Sequence, residues 1–318
     1  IGFSMLDNKN KILGLCLLSS LFTAARADVL VILPESGPMA RAASSIKQGF
    51  NSAYQSSDYK VPIKFVDSNQ KQIAAILKQH VNKKTQLVIG PLARQDVEAL
   101  VKAKPKVRVL ALNETTSQIP NVWQYSLSKR DDALALQKVF EKDKLAQVLV
   151  LRQPATEAEH ELLLMSLISQ SSVPIQVIEQ FPTKLDKNQG VLLLGNNEWL
   201  NSQKKLPKAK LYSIANAIEA TKPIPVGLKF CDAPALHDAR WPDLIRAYEE
   251  NPVDMPYQRL LAFGGDTWHI AKQYLQEPKL KSIEFQGRTG LIKISQNNIQ
   301  RVPHCYERSK KGIVAISL

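Results

Sequence analysis

Two short stretches carry residue types that can hold a small polar molecule. The first is VLVILPESGPMARAASSIKQGF, Val29 to Phe50. An apolar run ends at Pro34, a small-residue turn follows at Ser36-Gly37-Pro38, and apolar residues then recur at helical spacing. A strand, a tight turn and a helix start place backbone N–H groups and the positive end of a helix dipole where an anion can sit. The same residues serve equally well as a plain strand-to-helix turn. No G-x-G-x-x-G and no G-x-x-x-x-G-K-[ST] occurs, so this is not a nucleotide loop. The second stretch, Asn113-Glu114-Thr115-Thr116, follows another apolar run. Its amide and hydroxyls can meet a ligand carboxylate, or they can cap a turn.

Catalytic and metal chemistry find little support. The five histidines, His80, His160, His237, His269 and His304, fall in no ligand spacing, and His160-Glu161 is only a fragment of H-E-x-x-H. No G-x-S-x-G elbow is present. Glu114 and Asp266 have no sequence feature that pairs them for acid–base work. Asp266 reads locally as a cap for a helix starting near Thr267. We expect no catalytic residues, no metal and no cofactor.

The elements that would position these residues alternate regularly. Strand patterns at Asp28–Leu33, Val61–Val66, Leu87–Gly90 and from Val107 are separated by amphipathic helical patterns. One such helix carries Met39, Ala42, Ala43, Ile46, Phe50, Ala53 and Tyr54 on one face. The rhythm restarts after a helix over Lys129–Lys144, with strands at Ala146–Leu151, Pro174, Gly190–Gly195, Ala209 and Pro225. Helices follow over Asp243–Glu249 and Met255–Leu275, and the end, Gly290–Leu318, is β-rich. Strands alternating with helices over short connections predict parallel sheets covered on both faces. The expected fold class is α/β, as two Rossmann-like lobes in sequence.

The chain has 318 residues, 44% hydrophobic and 22% charged, enough for two compact lobes. Residues 1–27 read as a signal segment, with 1–4 an upstream extension before Met5. Lys9 and Lys11 precede an apolar stretch from Ile12 to Ala25, and Ala25-Arg26-Ala27 sets up cleavage before Asp28. An N-terminal anchor is the alternative. Cys16 lies in the apolar stretch, but the bulky Leu15 before it does not suit lipidation. The expected location is the periplasm, with no stable membrane insertion after cleavage. The formal net charge is +13; Lys9, Lys11 and Arg26 against Asp7 account for two charges, leaving +11 on the mature chain. A basic surface favours acidic partners, and export argues against nucleic acid. Lys204, Lys205, Lys208 and Lys210, in QKKLPKAK, form either a contact patch or a solvated charge run. Cys231 and Cys305 can pair in an oxidising compartment, but spacing alone does not decide it.

Beyond these readings, the residues carry a resemblance. VLVILPESGP with SIKQGF, then LVIGPLARQDVEAL, VLALNETTSQIPNVWQYSLSKRDDA, LLAFGGDTWHIA and FQGRTGLIKISQNNIQRVPHCYERSKKGIV, resemble the ordered motifs of the type I periplasmic-binding-protein clamshell. Within that superfamily, GPLARQDVEALVKAKPKVRVLALNET and GLKFCDAPALHDARWPDLIRAY look closest to the C-terminal domain of the LppC/LpoA-type penicillin-binding protein activator family. The resemblance implies a protein that stimulates a peptidoglycan synthase, a penicillin-binding protein, by contact. A solute receptor for an ABC transporter, taking an amino-acid-like ligand, is the alternative. It also implies a cleft with Ser36, Gly37, Pro91, Leu92, Asn113, Glu114, Thr115, Thr116 and Asp266 as candidate ligand residues. Asp266 matches the acidic position that meets a ligand ammonium in amino-acid receptors, and the cleft would hold a small molecule if it holds any. It further implies three hinge crossings, near residues 140, 255 and 285. Lobe I would then comprise 28–142 and 255–285, and lobe II 143–254 and 286–318.

Overall fold

The computed structural model describes residues 28–318 apart from Lys204, Ala220 and Asn297. The expected signal segment, Cys16 and Lys204 lie outside the described residues. The first half runs β1 (Asp28–Leu33), α1 (Ala40–Ser56), β2 (Ile63–Asp67), α2 (Ile73–His80), β3 (Thr85–Ile89), α3 (Arg94–Ala103), β4 (Arg108–Ala111) and β5 (Val122–Gln124). The second half runs α4 (Lys129–Lys142), β6 (Gln147–Arg152), α5 (Glu157–Gln170), β7 (Ile175–Ile178), β8 (Gln189–Leu194), α6 (Asn197–Ser202), β9 (Lys210–Ser213) and β10 (Leu228–Asp232). Two helices follow, α7 (Pro242–Glu250) and α8 (Met255–Gln276). The chain ends in β11 (Ser282–Gln286), β12 (Leu291–Ser295), β13 (Asn298–Val302), β14 (His304–Ser309) and β15 (Gly312–Ile316).

These strands form two sheets, each the base of one lobe. The first has the order β11-β12-β13-β5-β4-β3-β1-β2 and the second β15-β14-β10-β9-β8-β6-β7. Strands β1 to β5 pair in parallel, as do β6 to β10, and the late strands add antiparallel edges. The unbroken apolar run of β1 follows from burial on both faces. Val29, Val31 and Leu33 pack with Ile46, Phe50, Phe263 and Trp268 of α1 and α8, whereas Leu30 and Ile32 pack with Ile73, Ile76, Val97 and Leu100 of α2 and α3.

Three crossings join the lobes, but not where the resemblance implied. The first lies between Gln124 and Lys129, ahead of α4 rather than near residue 140. Ala133, Leu136, Val139 and Phe140 of α4 pack on Val148, Leu163 and Leu192 of the second lobe. The second crossing lies between Asp232 and Pro242, not near 255, because α7 docks on α1: Gln48 Nε2 donates to Ala247 O at 2.5 Å and Ser52 Oγ to Asp243 O at 2.6 Å. The third falls at Pro303, between β13 and β14, not near 285. The β11–β12–β13 meander adds to the first sheet through Asn298 beside Gln124. Residues 286–302, expected in lobe II, therefore belong to the first lobe, and α4, expected in lobe I, belongs to the second. A helix or hairpin adjoins two sheets in sequence, and only packing decides which one it covers.

Cys231 and Cys305 sit directly opposite each other on β10 and β14 and are joined by a disulfide. That bond fastens the returning C-terminal strand to the second sheet across a sequence separation of 74 residues.

Candidate functional site

A cavity of ≈ 370 Å³ lies between the lobes at the carboxyl ends of β3 and β4. Ligands of open α/β sheets bind at this edge. Leu92, Leu112 and Asn113 form the first-lobe wall, Leu162 and Ser166 of α5 face them, and Phe263 of α8 helps close the apolar part. Pro91 O accepts a hydrogen bond from Leu112 N–H at 3.0 Å, and Asn113 Nδ2 donates to Leu92 O at 3.0 Å. These two bonds hold the ends of β3 and β4 together and set the wall. Ser128 caps α4 by accepting from Arg130 N–H at 3.2 Å, and its hydroxyl donates to Glu114 Oε1 at 2.8 Å. Glu114 is thus anchored to the first crossing.

The expected ligand residues fall in four places. Leu92, Asn113 and Glu114 come together in the interlobe cleft. Thr115 and Thr116 instead line a neighbouring polar pocket of ≈ 310 Å³ with Gln118, Gln124 and Asp131. Ser36 and Gly37 lie on an exposed turn away from both cavities, where Asn69 Nδ2 donates to Ser36 O at 2.7 Å and to its Oγ at 3.1 Å. That turn is tied to the loop after β2, so its polar groups are engaged locally.

Asp266 is in neither cavity. It is fully buried in the middle of α8, so it does not cap a helix start. Its carboxylate accepts from Arg288 N–H at 2.7 Å, Thr289 N–H at 2.8 Å and Thr289 Oγ1 at 2.7 Å. Three of its acceptor positions are taken up by this loop, and full burial closes it off from both cavities. Asp266, for which the resemblance implied an ammonium role, thus holds the segment before β12 against α8.

Sequence reasoning missed Arg94, Ser126–Arg130, Leu162, Leu260 and Phe263 in the cleft. Ser128 followed by Asp131 and Asp132 was readable as a helix N-terminus, but its placement at the hinge was not. It also missed the hinge network behind it. Arg301 of β13 is buried and contacts Asp132 through Nη2; its N–H donates to Asp131 Oδ2 at 3.2 Å. Burial pushes the Asp131 carboxyl up to about 6, against the opposing pull of the Arg301 charge and N–H. An acid raised in the folded state is protonated there while the unfolded chain already ionises, so stability falls as pH rises from about 4 to about 6. The loss from this group approaches about 3 kcal/mol for a shift of about two units. Urea unfolding of the wild type should show this decline, and Asp131→Asn should remove about 1–3 kcal/mol of it. Equal pH slopes in the two proteins would refute the assignment.

Among the described residues, no helix is long and apolar enough to cross a membrane, and no group of three His, Cys, Asp or Glu side chains is arranged to hold a metal.

The comparisons with known proteins agree with this architecture. Residues 14–158 match the family described as "LppC putative lipoprotein". The chain is 25% identical over 302 residues to the penicillin-binding protein activator LpoA of Glaesserella parasuis serovar 5, covering 86% of this chain and 52% of that protein. It therefore spans about half the length of the curated relatives it matches. The C-domain of LpoA from Haemophilus influenzae, described as a regulator of PBP1A, superposes with a TM-score of 0.74 at 20% identity, over 92% of this chain and all of that one (100%). A Chromobacterium violaceum protein solved as a "putative branched-chain amino acid ABC transporter" superposes with a TM-score of 0.71 at 20% identity, over 88% of this chain and 99% of its own. Residues 14–158 thus resemble the LppC family, and the whole architecture is the type I periplasmic-binding-like fold shared by these structures.

Proposed function

We propose that this protein is a non-catalytic activator of a peptidoglycan synthase, a penicillin-binding protein, working by protein–protein contact in the periplasm. The observation that carries this reading is the similarity to activators named LpoA across 86% of the chain. The fate of Asp266 argues against the alternative, an amino-acid receptor, because the carboxylate that would meet an ammonium is consumed internally. Export with cleavage before Asp28, rather than lipidation at Cys16, is part of the proposal, and the intact mass of the mature N-terminus decides between them.

The test adds the purified mature chain to penicillin-binding proteins of its own organism and measures glycan polymerisation and cross-linking. A several-fold stimulation of one synthase is expected. If the chain stimulates none, the activator reading fails. Lys205, Lys208 and Lys210 lie exposed at the α6–β9 loop and the start of β9, where charge can steer a partner. Reversing them together with Lys204 should weaken stimulation and its salt dependence; an unchanged response places the contact elsewhere.

A further inference from the structure

We propose that the edge of the first lobe at the amino ends of its strands docks on an anionic phospholipid bilayer. Helices α2 and α3 both end at this edge, and residues 81–84 and 104–107 lead from them into β3 and β4. Strands β3 and β4 are paired, with Leu87 beside Arg108, which sets the two loops side by side. Together they present Lys78, Lys83, Lys84, Lys102, Lys104 and Lys106, all exposed. Counter-charge is scarce here. From 71 to 108 the only acids are Asp96 and Glu98, in the first half of α3 at the cleft end, and Glu98 pairs with Arg94 at 3.4 Å. Asp58, before β2, is taken by Lys272, and among the described residues Asp28 is the only other acid at the starts of β1 to β4.

Two arguments separate this face from an ordinary solvated surface. Helix dipoles draw basic residues into last turns, which accounts for Lys78 and Lys102. Lys83, Lys84, Lys104 and Lys106 lie beyond those turns and exceed that need. Lys104 is even held at φ 46°, in the left-handed region that glycine fills more easily. Like charges gathered on adjoining loops repel, and an anionic surface relieves that repulsion. The shape is the second argument. The cavity on this edge, beside Lys64 and His80, is ≈ 190 Å³, below the about 300 Å³ from which ligand sites run. An open array of flexible ammonium groups suits an extended layer of phosphate headgroups rather than one enclosed molecule.

The course of the chain selects the bilayer among extended anions. Asp28 N–H donates to Lys84 O at 3.1 Å, so the polypeptide enters the fold at this same edge. Only Arg26 and Ala27 separate Asp28 from the apolar stretch that ends at Ala25, a reach of at most about 11 Å. A membrane that takes up that stretch during export therefore faces these lysines. The interlobe cleft, at the opposite ends of the same strands, then points away from the bilayer. This inference does not depend on the synthase reading.

Co-sedimentation of the mature chain from Asp28, which lacks the apolar stretch, with lipid vesicles tests it. Vesicles of phosphatidylglycerol and phosphatidylcholine in about equal parts should bind at least about tenfold better than phosphatidylcholine alone, and at least about tenfold less at 0.5 M than at 0.1 M salt. Lys83→Glu/Lys84→Glu/Lys106→Glu should weaken binding to the anionic vesicles at least about tenfold. These side chains are exposed, so the fold is kept, and an unchanged unfolding midpoint checks that. Lys138→Glu/Lys184→Glu/Lys187→Glu makes the same charge change on exposed positions of the second lobe and should leave binding within about twofold. Equal binding to the two kinds of vesicle overturns the proposal. So does an equal loss in the two variants, which would make net charge rather than this edge responsible. So does capture of a soluble acidic polysaccharide with no binding to the vesicles.

Discussion

Asp232→Ala is expected to destabilise the protein by about 3–5 kcal/mol, the cost of stranding a buried charge. Asp232 ends β10 and is almost completely buried. Arg259, in the second turn of α8, grips it with Nε on Oδ1 at 2.7 Å and Nη2 on Oδ2 at 2.8 Å. His237 lies 3.2 Å from Oδ2, and Arg259 Nη2 also donates to Ala215 O at 2.8 Å. Burial alone would raise the Asp232 carboxyl, but Arg259 and His237 outweigh it and hold it well below the usual carboxylate range. Met255, at the start of α8, packs in the second lobe, whereas Phe263, Trp268 and Ile270 further along pack in the first. The pair therefore clamps the start of α8, just after the second crossing, to the second lobe. Removing Asp232 leaves a guanidinium buried with a carbonyl and no counter-charge. The double variant Asp232→Ala/Arg259→Leu should recover at least about 1 kcal/mol of the loss, because no charge is then stranded. Chemical unfolding of the two variants checks this. A single variant costing less than about 1 kcal/mol, or a double variant no better than the single, would show that the pair is not an isolated buried clamp.

The second large effect is expected at the α1–α8 contact. Gly49 and Gly264 let these helices meet backbone to backbone. A Cβ on Gly264 would stand 2.0 Å from Ile46 O, and one on Gly49 would stand 1.9 Å from Leu261 O. Helix propensity alone predicts that Gly264→Ala stabilises by about 1 kcal/mol. The structure predicts the opposite sign. The helices must part, which strains the core by about 1–3 kcal/mol, and the edge-to-face contact of Phe50 with Trp268, at 5.5 Å between centroids, opens with them. A net loss of about 2 kcal/mol is expected for Gly264→Ala and more for Gly264→Val. An increase in unfolding midpoint for the alanine variant would show that the helices yield freely at this point.

The GGD stretch illustrates how sequence and structure divide the work. It resembled a family signature and was read as a ligand position. In the fold, Gly264 admits α1, a Cβ on Gly265 would run into the Arg288 side chain, and Asp266 fastens the Arg288–Thr289 backbone. All three residues serve packing. Sequence spacing showed that the segment mattered but not which way Asp266 faces, because a single acidic residue in a long apolar helix has no periodicity of its own. Asn113 and Glu114 were found because they follow a buried strand, and the carboxyl ends of parallel strands open onto the cleft. Ser36 and Gly37 satisfied the same rule, yet their turn is closed by Asn69, which is 33 residues from Ser36.

What the sequence determined by itself is local and periodic. Apolar runs buried on both faces made parallel strands, helical spacing made the amphipathic covers, and their alternation implied two α/β lobes. The ordered motifs pointed to the activator family, and two cysteines made a bond possible. Tertiary structure alone decided which sheet each late element joins, where the chain crosses, and which polar side chains remain open. Residues 286–302 crossed from the expected lobe to the other. Asp131 became an unsatisfied carboxyl in a pocket, while Asp266 became a satisfied one in the core. The physical reason is common to these cases. Burial and hydrogen-bond satisfaction depend on partners tens to hundreds of residues away, and no pattern within a short window records which donor will reach a given oxygen.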